Sequence, residues 1–319
     1  MEITRETIEA AIEQHLPGRT VCDVRDRGEW VRRIVEITLD GGEIVYLKLH
    51  SHSSWMDSTV HEAQVARMLG DHGLPAPRVL AVDPSCTILS YPYLIQERVG
   101  GTRLDTLLAI ASERDALSIY ETLGKLYRRM HHIRAPRSGV WDGSPERVLP
   151  VSPNAYMYQA KIVEGSGKRA MEEGRLSRPI YERVVALWAE QMDYLQDHQP
   201  CLVHGSPFLW TIYLATEGHG WRVTKLTALG DVLWWDAAYD LAFLRYPPFG
   251  SVSPPCWEAF ATGYGPLPEP RRLLLYAILQ RLCAAIGAYM EPQIPRNRTW
   301  RDRCLADLDG WLDAVERAI

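Results

Sequence analysis

The sequence predicts an α+β fold in two lobes, and three observations carry that prediction. Short β-rich runs are confined to residues 1–99, long runs of helical periodicity dominate residues 100–319, and Gly100-Gly101 stands between them like a hinge. A small β-rich N-terminal lobe and a large helical C-terminal lobe are therefore expected, with a ligand cleft where they meet.

The elements follow in order. An amphipathic helix is expected near Arg5–Gln14, then strand-forming runs at Thr20–Arg25, Trp30–Leu39 and Glu43–His50. Asp40-Gly41-Gly42 between the last two is a hairpin signal, because glycine tolerates positive φ. A helix over Ser58–Asp71 should stop at His72-Gly73, with Pro75 and Pro77 beyond it. Extended runs at Arg78–Val82 and Tyr93–Arg98 complete the first lobe. The second should hold helices at Leu104–Ala111 and Glu113–His132, a Pro/Gly-rich stretch over Ala135–Pro153, then helices at Ser177–Asp197, Trp257–Tyr264, Arg271–Met290 and Trp300–Ile319.

Composition bounds the function. The chain has 319 residues and a formal net charge of −5, which gives no electrostatic footprint for nucleic acid or an anionic membrane. No apolar run is long enough to span a bilayer, and the N-terminus is acidic and amphipathic rather than signal-like. The six cysteines lack C-x-x-C pairs and zinc spacing, so they read as reduced core thiols of a cytoplasmic protein. No metal site is predicted: His50, His52 and His61 lie near Ser53 and Ser54 without a recognised ligand pattern. No Ser/His/Asp order indicates a hydrolase.

The chemistry-bearing motifs follow one another in order along the chain. The first is Val45-Tyr46-Leu47-Lys48-Leu49, followed by His61-Glu62-Ala63 with His72-Gly73-Leu74-Pro75-Ala76-Pro77-Arg78-Val79-Leu80. Then come Tyr93–Gly101 (YLIQERVGG), Leu202-Val203-His204-Gly205-Ser206 through Thr211, and Val223–Ala242 (VTKLTALGDVLWWDAAYDLA). Together these resemble the aminoglycoside phosphotransferase and choline kinase family. Its patterns are R-E-A…H-G-L-P-V-P-R-V-L, Y-L-L-M-E-x-L-x-G, L-V-H-G-D-x-x-x-x-N and V-T-G-V-I-D-W-G-D-x-x-x-G-D-P-A-Y-D-L-A. The resemblance implies a protein-kinase-like fold over residues 20–265, with Lys48 paired to Glu62. By the same resemblance His204 orients the catalytic loop, and Asp236 and Asp240 tie that loop to the following helix.

The departures fall on the catalytic positions. Ser206 stands at the catalytic Asp, Thr211 at the Asn and Ala228 at the metal-binding Asp, while Asp231 matches the second Asp of W-G-D. Phosphoryl transfer relies on positioning and charge neutralisation by these groups. The nucleotide loop also departs: of its expected small residues only Gly28 remains, beside Glu29 and Trp30, while Arg27, Arg32 and Arg33 read first as an exposed strand face rich in Arg and second as phosphate contacts. Trp210, Trp234 and Trp235 place bulky rings where phosphate and metal would lie, either as cavity filling or as an apolar ligand wall.

The expected protein is thus kinase-like without conventional ATP-dependent chemistry, a pseudokinase with no cofactor. It would bind a peptide or small molecule through Lys48, Glu62, Arg27, Ser206, Trp210, Thr211 and Trp234, with a partner protein in a natural-product biosynthetic complex. One alternative is a metal- and ATP-independent peptide cyclase closing a thioether ring. Such an enzyme would use His204 and Asp231 for proton exchange and Lys48 to stabilise negative charge. The other is a residually active small-molecule phosphotransferase.

Overall fold

The computed structural model describes residues 3–28, 33–50, 58–140, 155–218, 220–246, 252–285, 299 and 302–319. The chain divides into two compact units. Residues 1–102, 212–215 and 223–231 form the first, and the remainder forms the second.

The first unit opens with helix α1 (Arg5–His15), whose N-terminus is capped by Thr4. Strands β1 (Val21–Asp26), β2 (Ile34–Leu39), β3 (Ile44–Leu49), β4 (Val79–Asp83) and β5 (Tyr93–Glu97) form one sheet in the order β1-β2-β3-β5-β4. The β2–β3 turn follows the Asp-Gly-Gly expectation, with Gly41 at φ 78. Alternation decides what each strand offers. Val35, Ile37, Val45, Leu47, Leu49, Tyr93 and Ile95 join Ile8, Ala11 and Ile12 of α1 in one apolar core. The intervening residues Glu36, Tyr46, Lys48 and Gln96 occupy the other face. Helix α2 (Ser58–Asp71) packs on β4 and β5. Gly101 has φ 98, and a Cβ there would lie 2.6 Å from the Leu214 carbonyl oxygen, so the expected hinge glycine is needed for close backbone approach.

In the second unit β6 (Thr102–Arg103) leads into α3 (Leu104–Leu108) and α4 (Glu113–His131). Strand β7 (Gly139–Val140) precedes α5 (Ala155–Glu172), α6 (Arg178–Glu190) and α7 (Met192–Gln196). Next come β8 (Cys201–Val203) and β11 (Leu233–Trp235); between them in sequence runs the hairpin β9 (Ile212–Glu217) and β10 (Gly220–Leu226), whose residues 212–215 and 223–226 belong to the first unit. The chain ends with α8 (Ala237–Arg245), α9 (Pro254–Tyr264), α10 (Pro270–Ala285) and α11 (Leu308–Glu316). A small sheet β7-β11-β8 carries the loops discussed below. Helices α4 and α9 cross with glycines in contact: a Cβ on Gly124 would strike the Phe260 carbonyl, and one on Gly263 that of Glu121.

Three expectations need correction. Helix α5 lies in a stretch to which no element was assigned, and it contains Gly165-Ser166-Gly167. Gly167 leaves room for the ring of Tyr181, 2.9 Å from where a Cβ would sit, so α6 packs closely on α5. The single helix expected over Ser177–Asp197 divides at Gln191 into α6 and α7. Of the six thiols, none of them in a disulfide, only Cys201, Cys283 and Cys304 are buried. Residues 286–290 of one expected helix lie outside the described residues. Among the described residues no helix is long and apolar enough to cross a membrane.

Candidate functional site

In the first unit, β3 presents Lys48 away from the α1 core, and α2 brings Glu62 to meet it. Lys48 Nζ lies 2.5 Å from Glu62 Oε1, with both side chains buried. This is the pairing the motifs implied. The other carboxylate oxygen of Glu62 is 3.4 Å from His50 Nε2, on a side chain only 1% exposed. Sequence reasoning missed that contact. The signal was the period-two spacing that puts His50 on the Lys48 face. Removing one member of such a buried pair leaves an uncompensated charge, which costs about 3–5 kcal/mol. His61 is buried too, whereas His52, Ser53 and Ser54 lie outside the described residues.

Arg27 and Arg33 are engaged with carboxylates. Arg27 Nη2 reaches both oxygens of Glu36 at 2.7 and 2.8 Å. The hydrogen bond from Arg27 holds the Glu36 carboxyl below its usual range. Arg33 bonds Asp26 at 2.8 Å. Glu29, Trp30 and Arg32 lie outside the described residues.

The loop carrying Ala228 belongs to the same unit. Ala228 sits at φ 60, a left-handed conformation that Asp, Asn and Gly tolerate better than Ala. The backbone there thus suits the residue that the family pattern carries. Asp231 ends the helical turn Leu229–Asp231, is exposed, and follows a turn packed against α2. Lys225, at a Gly of the pattern, bonds Glu97 at 2.5 Å and the Ala76 carbonyl at 3.1 Å.

In the second unit β8 delivers His204, which is fully buried. The loop is held by Asp240 of α8, itself 0% exposed. Its carboxylate accepts the His204 amide at 2.6 Å and the Gly205 amide at 2.9 Å, and His131 Nε2 lies 3.2 Å from it. His131 is fixed in turn by the Tyr264 hydroxyl, 2.9 Å from Nδ1. Asp236 caps α8 by accepting the Ala238 amide at 2.9 Å, and receives Arg272 Nη1 at 2.6 Å. Asp240 thus ties the loop to α8, while Asp236 caps α8 and receives Arg272.

What this clamp presents differs from a metal-binding loop. Ser206 is 2% exposed and Thr211 4%. The Thr211 hydroxyl donates to the Phe208 carbonyl at 2.8 Å, closing its own turn. The tryptophans divide. Trp234 is 0% exposed in β11, between β7 and β8, so its ring lies in the core. Trp210 keeps 40% of its surface, so it does not fill a cavity, and it stacks on Phe208 at 4.2 Å between ring centroids. Phe208 stands edge-on to buried Phe243 at 4.7 Å, which anchors the stack. Among the described residues no group of three or more His, Cys, Asp or Glu side chains is arranged to hold a metal ion.

A family model for the phosphotransferase enzyme family matches residues 24–276. The chain belongs to that family. A search of curated proteins finds no match. Among solved structures, the chain resembles a putative aminoglycoside phosphotransferase from Ralstonia eutropha JMP134 with TM-score 0.68 and 13% identity, covering 99% of each chain. It resembles the phosphotransferase APH(2")-IIia, solved with GDP and kanamycin, with TM-score 0.71 and 14% identity, covering 96% of this chain and 98% of that one. A thermostable mutant of APH(4)-Ia, solved with AMP-PNP and hygromycin B, follows at TM-score 0.69 and 17% identity, covering 98% of each. At such identities the likeness concerns the fold, which is the kinase-like α+β fold expected of the phosphotransferase family.

Proposed function

We propose that this member of the phosphotransferase family has lost metal-dependent phosphoryl transfer and acts by binding a peptide or small molecule. The observation that carries this reading is a contrast between the residues that are kept and those that are replaced. Asp240 still clamps the His204 and Gly205 amides, yet the positions that the clamp should present hold Ser206 and Thr211, and in the first unit Ala228 stands at the metal-binding Asp of the family pattern. A serine hydroxyl cannot take a substrate proton as a carboxylate does at neutral pH. A threonine whose hydroxyl serves its own turn is a poor replacement for a metal-binding amide, and a methyl group offers no ligand at all. Loss of a single electrostatic contact to a transition state costs about 10²–10³ in rate. Groups that act as one unit are lost together rather than additively. Lys48 and Glu62 would then survive as architecture and as one wall of a ligand site.

The test is titration with ATP, with and without Mg²⁺, of the natural protein and of the triple variant Ser206→Asp, Thr211→Asn, Ala228→Asp. The natural protein should show no Mg²⁺-dependent binding, and the triple variant should acquire it. Mg²⁺-dependent ATP consumption by the natural protein would overturn the reading.

A further inference from the structure

Gly100-Gly101 reads as a hinge, yet the structure fastens the segment that carries it. Two successive residues of β10, Thr224 and Lys225, do the fastening, and they belong to the first unit together with the segment they hold. The Thr224 hydroxyl donates to the Gly100 carbonyl at 2.6 Å. Lys225 Nζ donates to Glu97 Oε1 at 2.5 Å and to the Ala76 carbonyl at 3.1 Å. One ammonium thereby joins the end of β5, the stretch before β4, and β10. Glu97 is also fixed by Arg78. The Arg78 amide donates to Glu97 Oε1 at 3.0 Å, and the Glu97 amide donates to the Arg78 carbonyl at 3.0 Å. The Leu226 amide adds a bond to the Pro75 carbonyl at 2.9 Å. Gly101 is closed in as well, since a Cβ there would lie 2.6 Å from both the Leu214 carbonyl oxygen and the Thr224 hydroxyl.

The ammonium departs from the family pattern. V-T-G-V-I-D has Gly at the position of Lys225, and a glycine has no side chain to reach Glu97 or Ala76. Burial works to raise the Glu97 carboxyl, but Lys225 and the Arg78 amide outweigh it, and the group ends below its usual range. The Lys225 and Glu97 side chains keep 22% and 32% of their surface. A pair this open contributes little to global stability. Its effect is local, because it removes freedom from a segment whose glycines would otherwise have the most.

We propose that Lys225 is a positioning residue that, with Thr224, turns Glu97–Gly101 from a hinge into a rigid brace set without any ligand. This role goes beyond the ligand-binding reading and does not rest on it. A loose glycine pair would have to be ordered at the moment a ligand binds, at an entropic cost. A braced pair is ordered already when the chain folds. Gly100-Gly101 is then a place of close packing and not of bending.

The test is backbone ¹⁵N relaxation at Gly100 and Gly101, in the ligand-free natural protein and in the variants Lys225→Met and Thr224→Val, with the Leu47 amide of β3 as reference. In the natural protein both glycines should show order parameters near the rigid-backbone value of about 0.85. Lys225→Met should lower both into the flexible range, below about 0.6, and leave Leu47 unchanged. Thr224→Val should loosen Gly100 in the same way. Values below about 0.6 in the natural protein would restore the hinge and overturn the proposal, with no variant needed. Unchanged glycines in Lys225→Met would overturn it too, because packing alone would then hold the segment. So would an equal fall at Leu47, which would make Lys225 a contributor to the whole unit instead of a local brace.

Discussion

Asp240 and Thr211 belong to the same unit and serve the same loop, but they do opposite kinds of work. Asp240 reaches across from α8 and holds two loop amides and His131 with one carboxylate. The Thr211 hydroxyl donates to the carbonyl three residues behind it. The first role is long-range and buried, so the fold depends on it. The second is local, and many residues could perform it. A phosphotransferase can therefore exchange the residues that its clamp presents while the clamp itself stays intact. The Lys48–Glu62 pair in the other unit resembles Asp240 in this respect, because both are buried ionic groups that the surroundings have closed over.

This comparison can be broken at either end. The largest effect is expected for Asp240→Ala, which strands two buried amides and should cost about 3–5 kcal/mol in denaturant unfolding. A cost below about 1 kcal/mol would mean that Asp240 is not the clamp described. Lys48→Met alone should be nearly as damaging, at about 3 kcal/mol, whereas Lys48→Met with Glu62→Leu should recover most of that loss. A double variant as unstable as the single one would show that the pair is not the unit of stability. Thr211→Val should cost only about 1 kcal/mol, the worth of one hydrogen bond. Ala228→Gly should stabilise by up to about 1 kcal/mol, since glycine relieves the left-handed strain. Destabilisation by Ala228→Gly would contradict the backbone conformation described.

The smallest effect concerns pH. Glu36 has a folded-state carboxyl held below its ordinary value of 4.5 by Arg27. Its contribution is present above that value and fades as pH falls through the lowered one. Arg27 is half exposed, so solvent screens the pair and the contribution is slight. Arg27→Ala should flatten the acid side of the stability–pH curve and leave neutral stability close to unchanged. Urea midpoints taken from pH 3 to 7 would read this out.

Much of this was legible beforehand where local pattern and tertiary structure agree. Strand alternation and the Asp-Gly-Gly turn located β2 and β3, and the motif spacing brought Lys48 to Glu62. Helix α5 went unassigned; its Gly167 is set by the ring of Tyr181 across a helix contact, a constraint between distant segments. Trp234 and Trp210 are alike as letters in a motif, and only the sheet that encloses one and exposes the other separates them. The bridge from Lys225 to Glu97 and Ala76 was invisible for the same reason, since it joins distant segments.

The central claim is that the clamp survives without the chemistry, and ³¹P NMR of Mg²⁺-ATP with stoichiometric protein tests it most directly. The account predicts that the γ-phosphate signal persists with any acceptor, while the circular dichroism melt remains cooperative. Conversion of ATP to ADP at ordinary kinase rates, about 1–100 s⁻¹, would contradict it.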